Sequence, residues 1–468
     1  MGGCMGSLVQ KAVGITALIM ILLSPSLFAQ GPEISWSRYY GGFDDELGFC
    51  VEQTSDDGFI LAGATSSYGF GHFEVPDAYF IKVNSNGDTL WTRTFGSPTE
   101  DDCFSIKQMP DGGYIAAIWG FADLMKLDTD GDSVWSRSYG CFSTHVELTR
   151  DGGFILSSMK DGCFALTRVD SSGNQVWQHS YSYGTSSGLA RSVKQLADSG
   201  FIAVGVNYTP DPNYSDCYLV RTDSQGDTIW TRSFNLPVRN YEVGYDVCQT
   251  IDGGFIVLLH DFWVIKTDTN GNEEWRQFCG GNTGESAYSL SPMPDGTYLL
   301  GGTGSDFYAG YFMSKIDING DTLWTGSYGG SFCWGLTARP TRDGGFVMIG
   351  YGFHSEREDS DIRLIKFSQI TGLNDETYSM PNAISLMQNE PNPFNASTLI
   401  RYNLTALSNV KLNIYNISGQ LVTTLLDGIK SPGSHGVIWH TEDISSGIYF
   451  AQLESDRQKQ SIKMVLLK

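Results

Sequence analysis

Residues 84–96 read NSNGDTLWTRTFG, and a related phrase returns five times: DTDGDSVW (128–135), SSGNQVW (171–177), SQGDTIW (224–230), DTNGNEEW (268–275) and INGDTLW (318–324). The cluster of Asn and Asp invites a cation-loop reading. Calcium loops, however, need oxygen ligands at alternate positions over about twelve residues and a closing bidentate acid. Here the strand resumes after four or five residues, and SSGN and SQGD keep the glycine while losing an acid. A two-residue Asn-Gly or Asp-Gly hairpin turn, which needs positive φ, accounts for every copy.

The tryptophan of that phrase recurs as Trp36, Trp91, Trp135, Trp177, Trp230, Trp275 and Trp324. Arg usually follows two residues later, and Tyr or Phe four later. A second phrase, DGGF or a variant, begins at Asp57, Asp111, Asp151, Asp198, Asp252, Asp295 and Asp343. It reads as a tight turn in which Gly takes positive φ. The second unit shows four strand-like pieces: FSIKQM (104–109), GYIAAIWG (113–120), DLMKLD (123–128) and SVWSRSYG (133–140). Four short strands cannot bury both faces alone, whereas radially stacked four-stranded sheets cover one another. The tryptophans then serve as repeat-scaffold plates between sheets, each indole N–H satisfied locally. ISWSRYY (34–40) lacks the preceding NGD turn, and the last unit, ending LIKFSQITG (364–372), lacks a following Trp phrase. The expected fold is therefore all-β: a seven-bladed β-propeller over 31–372, closed by its N-terminal strand lying beside 361–367. Residues 34 to 370 resemble bacterial propellers with DGGF repeats, and their phrase order is similar to pyrroloquinoline-quinone-type repeats. The quinone-enzyme signature is matched only at scaffold positions, so the resemblance implies no cofactor.

Composition bounds the function. The formal net charge is −22, with 52 acidic against 30 basic residues, which excludes a nucleic-acid partner because phosphate binding needs a basic footprint. Residues 1–30 place Lys11 ahead of an apolar run from Ile15 to Leu23 and a small residue at Ala29, the pattern of a cleaved secretory signal. The alternative is a retained anchor, for which nine apolar residues are short of a bilayer's ~30 Å. No transmembrane span is expected after cleavage. Gly6 occupies the position where N-myristoylation needs Ser or Thr. Beyond Cys4, eight cysteines are widely spaced with no CxxC pair; zinc spacing is absent, and buried thiols or disulfides both remain open.

No catalytic constellation is legible. GTSSG (184–188) matches G-x-S-x-G but sits between strands with no helix to follow, which removes the elbow that would activate Ser186. His72, His145, His179, His260, His354, His435 and His440 show no helical pairing and no HExxH phrase. What varies between units carries function more readily than what repeats. The variable loops GFDDE (42–46), SPTEDD (97–102), SSYGFGHFEVPD (66–77), NYTPDPNYSD (207–216) and FHSEREDS (353–360) are acidic and aromatic. They are candidates for carbohydrate, a basic protein surface or a divalent cation, against a solvated rim that binds nothing.

Composition shifts after Gly372. Residues 373–390 read as a linker, and 391–468 carry short alternating segments split by SGQ, DGIKSPGSHG and SSG turns, the spacing of a small β-sandwich. NEPNPFN, VKLNIYNISGQLV, SSGIYFAQL and the terminal KMVLLK resemble the C-terminal sorting domain of type IX secretion substrates, similar to the Ig-like domain of flagellar hook-capping proteins. That resemblance implies type IX machinery as a partner and a secreted or cell-surface location. It places Asn392, Pro393, Gly419, Gly447, Tyr449 and Lys468 on the motif as fold and address residues. Three functions stay open: a non-catalytic binding or adhesion scaffold, an extracellular carbohydrate-active hydrolase or lyase with acids at the channel, and a structural envelope protein.

Overall fold

A computed structural model describes residues 31–467 apart from 70–74, 182–186, 209–214, 236–241, 282–283, 305–309, 330–332, 354–358, 370–383, 390, 405–407, 431–432, 442–443 and 456–457. The expected signal segment, Ser186, His72, His354, Lys468 and most of the linker therefore lie outside the described residues. The described residues are all-β except for one short 3-10 turn, His260–Phe262. Between Ile34 and Phe367 the described residues form seven four-stranded antiparallel sheets. Their first strands, in chain order, are Glu46–Gln53, Asp102–Gln108, Phe142–Leu148, Gly188–Gln195, Gly244–Gln249, Ser286–Pro292 and Cys333–Pro340. The second strand of each sheet lies against the first strand of the next, and that of sheet seven against the first strand of sheet one.

The arrangement is propeller-like, and its closure is visible in the pairing. Ile34–Tyr40 is the outer strand of sheet seven, antiparallel to Ser360–Phe367 with Trp36 opposite Lys366. From there Trp36 reaches forward to sheet one, edge-on to Phe59 at 6.1 Å. The same step repeats around the ring: Trp91 meets Tyr114, Trp135 meets Phe154, Trp177 meets Phe201, Trp230 meets Phe255 and Trp324 meets Phe346. Trp275 packs in the cluster that holds Tyr298. Alternate residues on a strand share a face, so the Arg two positions on lies over the indole in four copies: Arg38, Arg93, Arg137 and Arg232. Tyr40, Tyr139 and Tyr181 donate their hydroxyls to the carbonyls of Gly87, Gly173 and Gly226 in the next sheet. Trp324 departs from the sequence expectation, for its buried indole N–H has no partner.

The opening turn is a three-residue loop, not the two-residue one expected. Asn84 N–H bonds Asp88 O at 2.9 Å and Gly87 N–H bonds Asn84 O at 3.0 Å, which makes a turn completed by a glycine at φ 83°. The Asn84 side chain accepts the N–H groups of Asn86 and Asp88, and Asp128, Asp170, Asp223, Asp268 and Asp317 repeat this. The side-chain oxygen is thus committed to its own loop. Glycine is required twice over, since a Cβ at Gly87, Gly131, Gly173, Gly226, Gly271 or Gly320 would lie 2.6–3.2 Å from the tryptophan ring of the preceding sheet.

The DGG aspartates do more than turn the chain. Each takes a cation from the third strand of its own sheet: Lys82–Asp56, Lys126–Asp111, Arg168–Asp151, Arg221–Asp198, Lys266–Asp252, Lys315–Asp295 and Lys366–Asp343. In the first unit the clamp is Asp56, one residue before the expected Asp57, which instead takes the positive φ of 63°. Burial opposes the charged form of Asp56, but hydrogen bonds from Thr54, Lys82 and Gly58 outweigh it and hold the carboxyl down at about 2. Asp111, Asp252, Asp295 and Asp343 are lowered in the same way. A carboxyl group depressed in the folded state stabilises the fold above its unfolded pKa, and that share is lost as pH falls through the folded value. The thermal midpoint should therefore drop between about pH 5 and about pH 2, with Asp56→Asn flattening the slope. A midpoint indifferent to pH in that window would contradict the clamp.

Residues 384–467 form a second all-β unit. Ile384–Leu386, Ser397–Leu404 and Gly433–His440 make one sheet; Ser408–Asn416, Leu421–Lys430, Gly447–Ser455 and Gln458–Leu466 make the other. Ile400, Leu412, Ile414, Trp439, Leu453 and Met464 belong to one buried cluster.

Candidate functional site

The seven first strands share a local irregularity that shapes a cavity. Each loses register against its neighbour by one residue, between Gly48 and Cys50, Cys103 and Ser105, Ser143 and His145, Ala190 and Ser192, Gly244 and Asp246, Ala287 and Ser289, and Gly335 and Thr337. The residue left over is Phe49, Phe104, Thr144, Arg191, Tyr245, Tyr288 or Leu336. A bulge re-aims its extra side chain, and all seven line one cavity of ≈ 580 Å³. Small residues precede each bulge because the neighbouring sheet is close; a Cβ on Gly335 would lie 2.5 Å from Gly302 O.

One step deeper the side chains tie sheets together. Ser105 accepts Val146 N–H, Ser192 donates to Asp246 at 2.7 Å, Asp246 accepts Leu290 N–H, and Ser289 accepts Ala338 N–H. Thr337 donates to Phe49 O at 2.7 Å, so this belt also crosses the ring closure. Beyond it lie Glu52, Lys107, Glu147, Lys194 and Arg339, with Lys107–Glu52 and Lys194–Glu147 each at 3.2 Å. Burial opposes both charges, yet Glu52 and Glu147 raise the Lys107 pKa, and Lys194 and Lys107 lower that of Glu147. Two carboxylates thus face three cations, of which Arg339 bonds the Ser291 hydroxyl and the Ala338 carbonyl instead.

The wall above is aromatic. Phe49 and Phe104 are 4.8 Å apart, Trp119 stacks on Phe142 at 4.7 Å, and Tyr245 meets Tyr288 edge-on at 5.1 Å. Arg191 lies over Tyr245 at 4.7 Å. His260 bonds its neighbour Asp261 at 2.8 Å and faces Tyr245. Asp261 and Phe262 both hold positive φ, 58° and 57°, a costly geometry for residues that carry a side chain. Asp102 also lines the cavity; burial, then Glu100 and Asp101, push its pKa up to about 7, and its Oδ1 is buried without a partner.

Of the acidic loops expected to face a ligand, 97–102 brings Glu100 and Asp102 to the cavity, while other acids bond protein backbone and hydroxyl groups. Glu46 accepts Gly42 N–H and the Thr65 hydroxyl, Asp101 accepts Ser97 and Phe121 N–H, and Asp45 accepts Ser360. These carboxylates brace their own loops and tie them to neighbouring ones. Among the described residues no group of three or more His, Cys, Asp and Glu could hold a metal ion. The eight described cysteines are free thiols. His179 stacks near Trp177 and His435 on Tyr402; among the described histidines, His145 lines the cavity and His260 stands beside its lining residue Tyr245. The scaffold tryptophans are not part of it. No helix among the described residues is long and apolar enough to cross a membrane.

In the C-terminal unit the motif residues converge on the last strand. Asn392 accepts Val465 N–H and donates to Lys463 O, and it precedes Pro393 through a cis bond. Phe394 N–H bonds Val465 O. Gly419 takes φ 73° in a loop of the same kind as residues 84–88, with Asn416 accepting Ser418 and Gln420 N–H. A Cβ on Gly447 would lie 3.7 Å from Tyr449, whose hydroxyl donates to Ser445 O.

Comparison with known proteins matches residues 391–467 to the family model described as Secretion system C-terminal sorting domain. No curated protein matches the sequence. Among solved structures, PorZ, a surface component of the type-IX secretion system of Porphyromonas gingivalis, has a TM-score of 0.46 and 11% identity over 92% of this chain and 60% of that one. BamB from Moraxella catarrhalis has a TM-score of 0.39 and 13% identity over 72% of this chain and 98% of that one. Likeness at this level says nothing of ligand or activity. Residues 391–467 are a type IX secretion sorting domain, and the propeller-like chain that carries it is a secreted or cell-surface protein associated with the outer membrane.

Proposed function

We propose that residues 31–372 form a closed seven-bladed propeller, that 391–468 form an Ig-like sorting module, and that the exported ring is a non-catalytic binding scaffold. The seven tryptophans hold the scaffold, and Asn392, Pro393, Gly419, Gly447 and Tyr449 hold the module. The observation that carries the binding reading is the ring of bulged residues: a repeated frame places one variable, mostly aromatic side chain per sheet into a single cavity. Pockets of this size with apolar walls and few polar groups suit small ligands. The channel's deeper charges are paired with one another or with backbone, which leaves them little chemistry to perform.

The ligand class favoured by aromatic plates beside Ser, Thr and Tyr hydroxyls is carbohydrate. Presenting residues 31–468 to a glycan array should give selective binding, and Trp119→Ala with Tyr288→Ala should weaken it about tenfold or more. Silence on the array from folded protein would overturn the reading. One observation favours the hydrolase alternative: Asp102, held near pH 7 in a buried setting, has the protonation suited to a general acid. Cleavage of a bound oligosaccharide that stops in Asp102→Asn would establish it.

A further inference from the structure

Two hydrogen-bond donors on adjacent sheets line the channel with nothing to bond. The buried Nε–H of Arg191 has no partner, and no hydrogen bond or ion pair of its guanidinium is seen among the described residues. Its guanidinium lies over the face of Tyr245 at 4.7 Å. On the neighbouring sheet, His145 Nε2 lies 3.5 Å from Lys194 Nζ. An ammonium only donates, so Nε2 accepts and the ring proton sits on Nδ1, which is buried and unpartnered. Burial, then Lys194, Lys107 and Arg339, hold this imidazole well below its usual pKa, so it is neutral. Native interiors rarely leave such donors orphaned.

We infer that Arg191 and His145 form an anion subsite, and that the ligand of the channel is a carboxylate-bearing sugar of the uronic-acid class. The inference rests on the reading of the channel as a carbohydrate site. A guanidinium offers a planar fork that matches a carboxylate, and the imidazole N–H supplies a further donor without adding charge. Both orphan donors sit in an otherwise acidic protein of net charge −22, so long-range attraction does not account for anion binding and local geometry must. The aromatic faces of Phe49, Phe104, Trp119 and Tyr288 fit the flat apolar sides of a pyranose ring and distinguish this site from a purely ionic one.

The test uses the full exported chain, residues 31–468, in calorimetric titrations at fixed ionic strength. The probes are digalacturonate, a glucuronate disaccharide and dimannuronate, each beside its methyl ester, with the dipeptide Asp-Asp as the non-sugar acid. At least one uronate should bind, its ester should bind about tenfold more weakly or worse, and Arg191→Gln should remove that preference while Arg191→Lys keeps part of it. The ester comparison needs no variant, so a misfolded Arg191→Gln does not spare the idea. Equal binding of acid and ester would overturn the anion subsite and leave the carbohydrate reading standing. Tighter binding of Asp-Asp would overturn the sugar assignment, and no binding by any probe would overturn both.

Discussion

Removing residues 31–40 should abolish cooperative folding of the ring. Those residues supply the outer strand of sheet seven, paired from Ile34 with Phe367 to Tyr40 with Ile362. They also carry Trp36, whose ring meets Phe59 and Gly87 of sheet one, and the Tyr40 hydroxyl bonded to Gly87 O. Ladder bonds contribute about 1 kcal/mol each and a half-buried tryptophan about 2 kcal/mol. Their sum rivals the stability of a whole domain, about 5–15 kcal/mol. The exposed edge of Ser360–Phe367 would then invite pairing with other chains. Thermal melts by circular dichroism and size-exclusion chromatography of residues 31–468 against 41–468 read both effects. The shortened chain should melt without a sharp transition and elute as oligomers, and Trp36→Ala alone should lower stability by about 2–4 kcal/mol. A monomer with an unchanged midpoint would show that closure does not depend on this strand.

Deleting residues 385–468 should stop export at the periplasm in a host with type IX machinery. The matched sorting domain spans 391–467, and its N-terminal motif is fastened to its last strand by Asn392, Gln388 and Phe394. The fall in surface or medium protein should be tenfold or more by fractionation and immunoblot, because an address that is absent is not read at all. Asn392→Ala, which removes two of the bonds between the motif and the last strand, should give a smaller loss. Full secretion of the truncated chain would overturn the address reading.

Much of the frame was legible because turn chemistry and tryptophan spacing are local. The missing turn before Trp36 pointed to Ile34–Tyr40 as the closing strand, and antiparallel pairing with Ser360–Phe367 is what the molecule has. The clamp on the DGG aspartates was readable but missed: a Lys or Arg stands two residues before the turn in IKVN, MKLD, TRVD, VRTD, IKTD, SKID and IKFS. The candidate site was not read, because a bulge is a fact of register between strands. Its trace is a small residue, one free choice, then a short or polar residue and an aliphatic one, as in GFCV (48–51), ARSV (190–193) and GYDV (244–247). Composition pointed in part to the right place: of the acids in 42–46 and 97–102, Glu100 and Asp102 line the cavity, while unpaired loop amides drew Glu46 and Asp101 inward.

We place the ligand of this exported protein at the ring of bulged residues. Hydrogen exchange of residues 31–468, with and without a saturating oligosaccharide chosen from the array, tests it most directly. Protection should concentrate in the segments around Phe49, Phe104, Arg191, Tyr245 and Tyr288 and in the loop at His260–Phe262. Protection confined to the outer strands that carry Trp91, Trp135 and Trp230, or to residues 391–467, would contradict it.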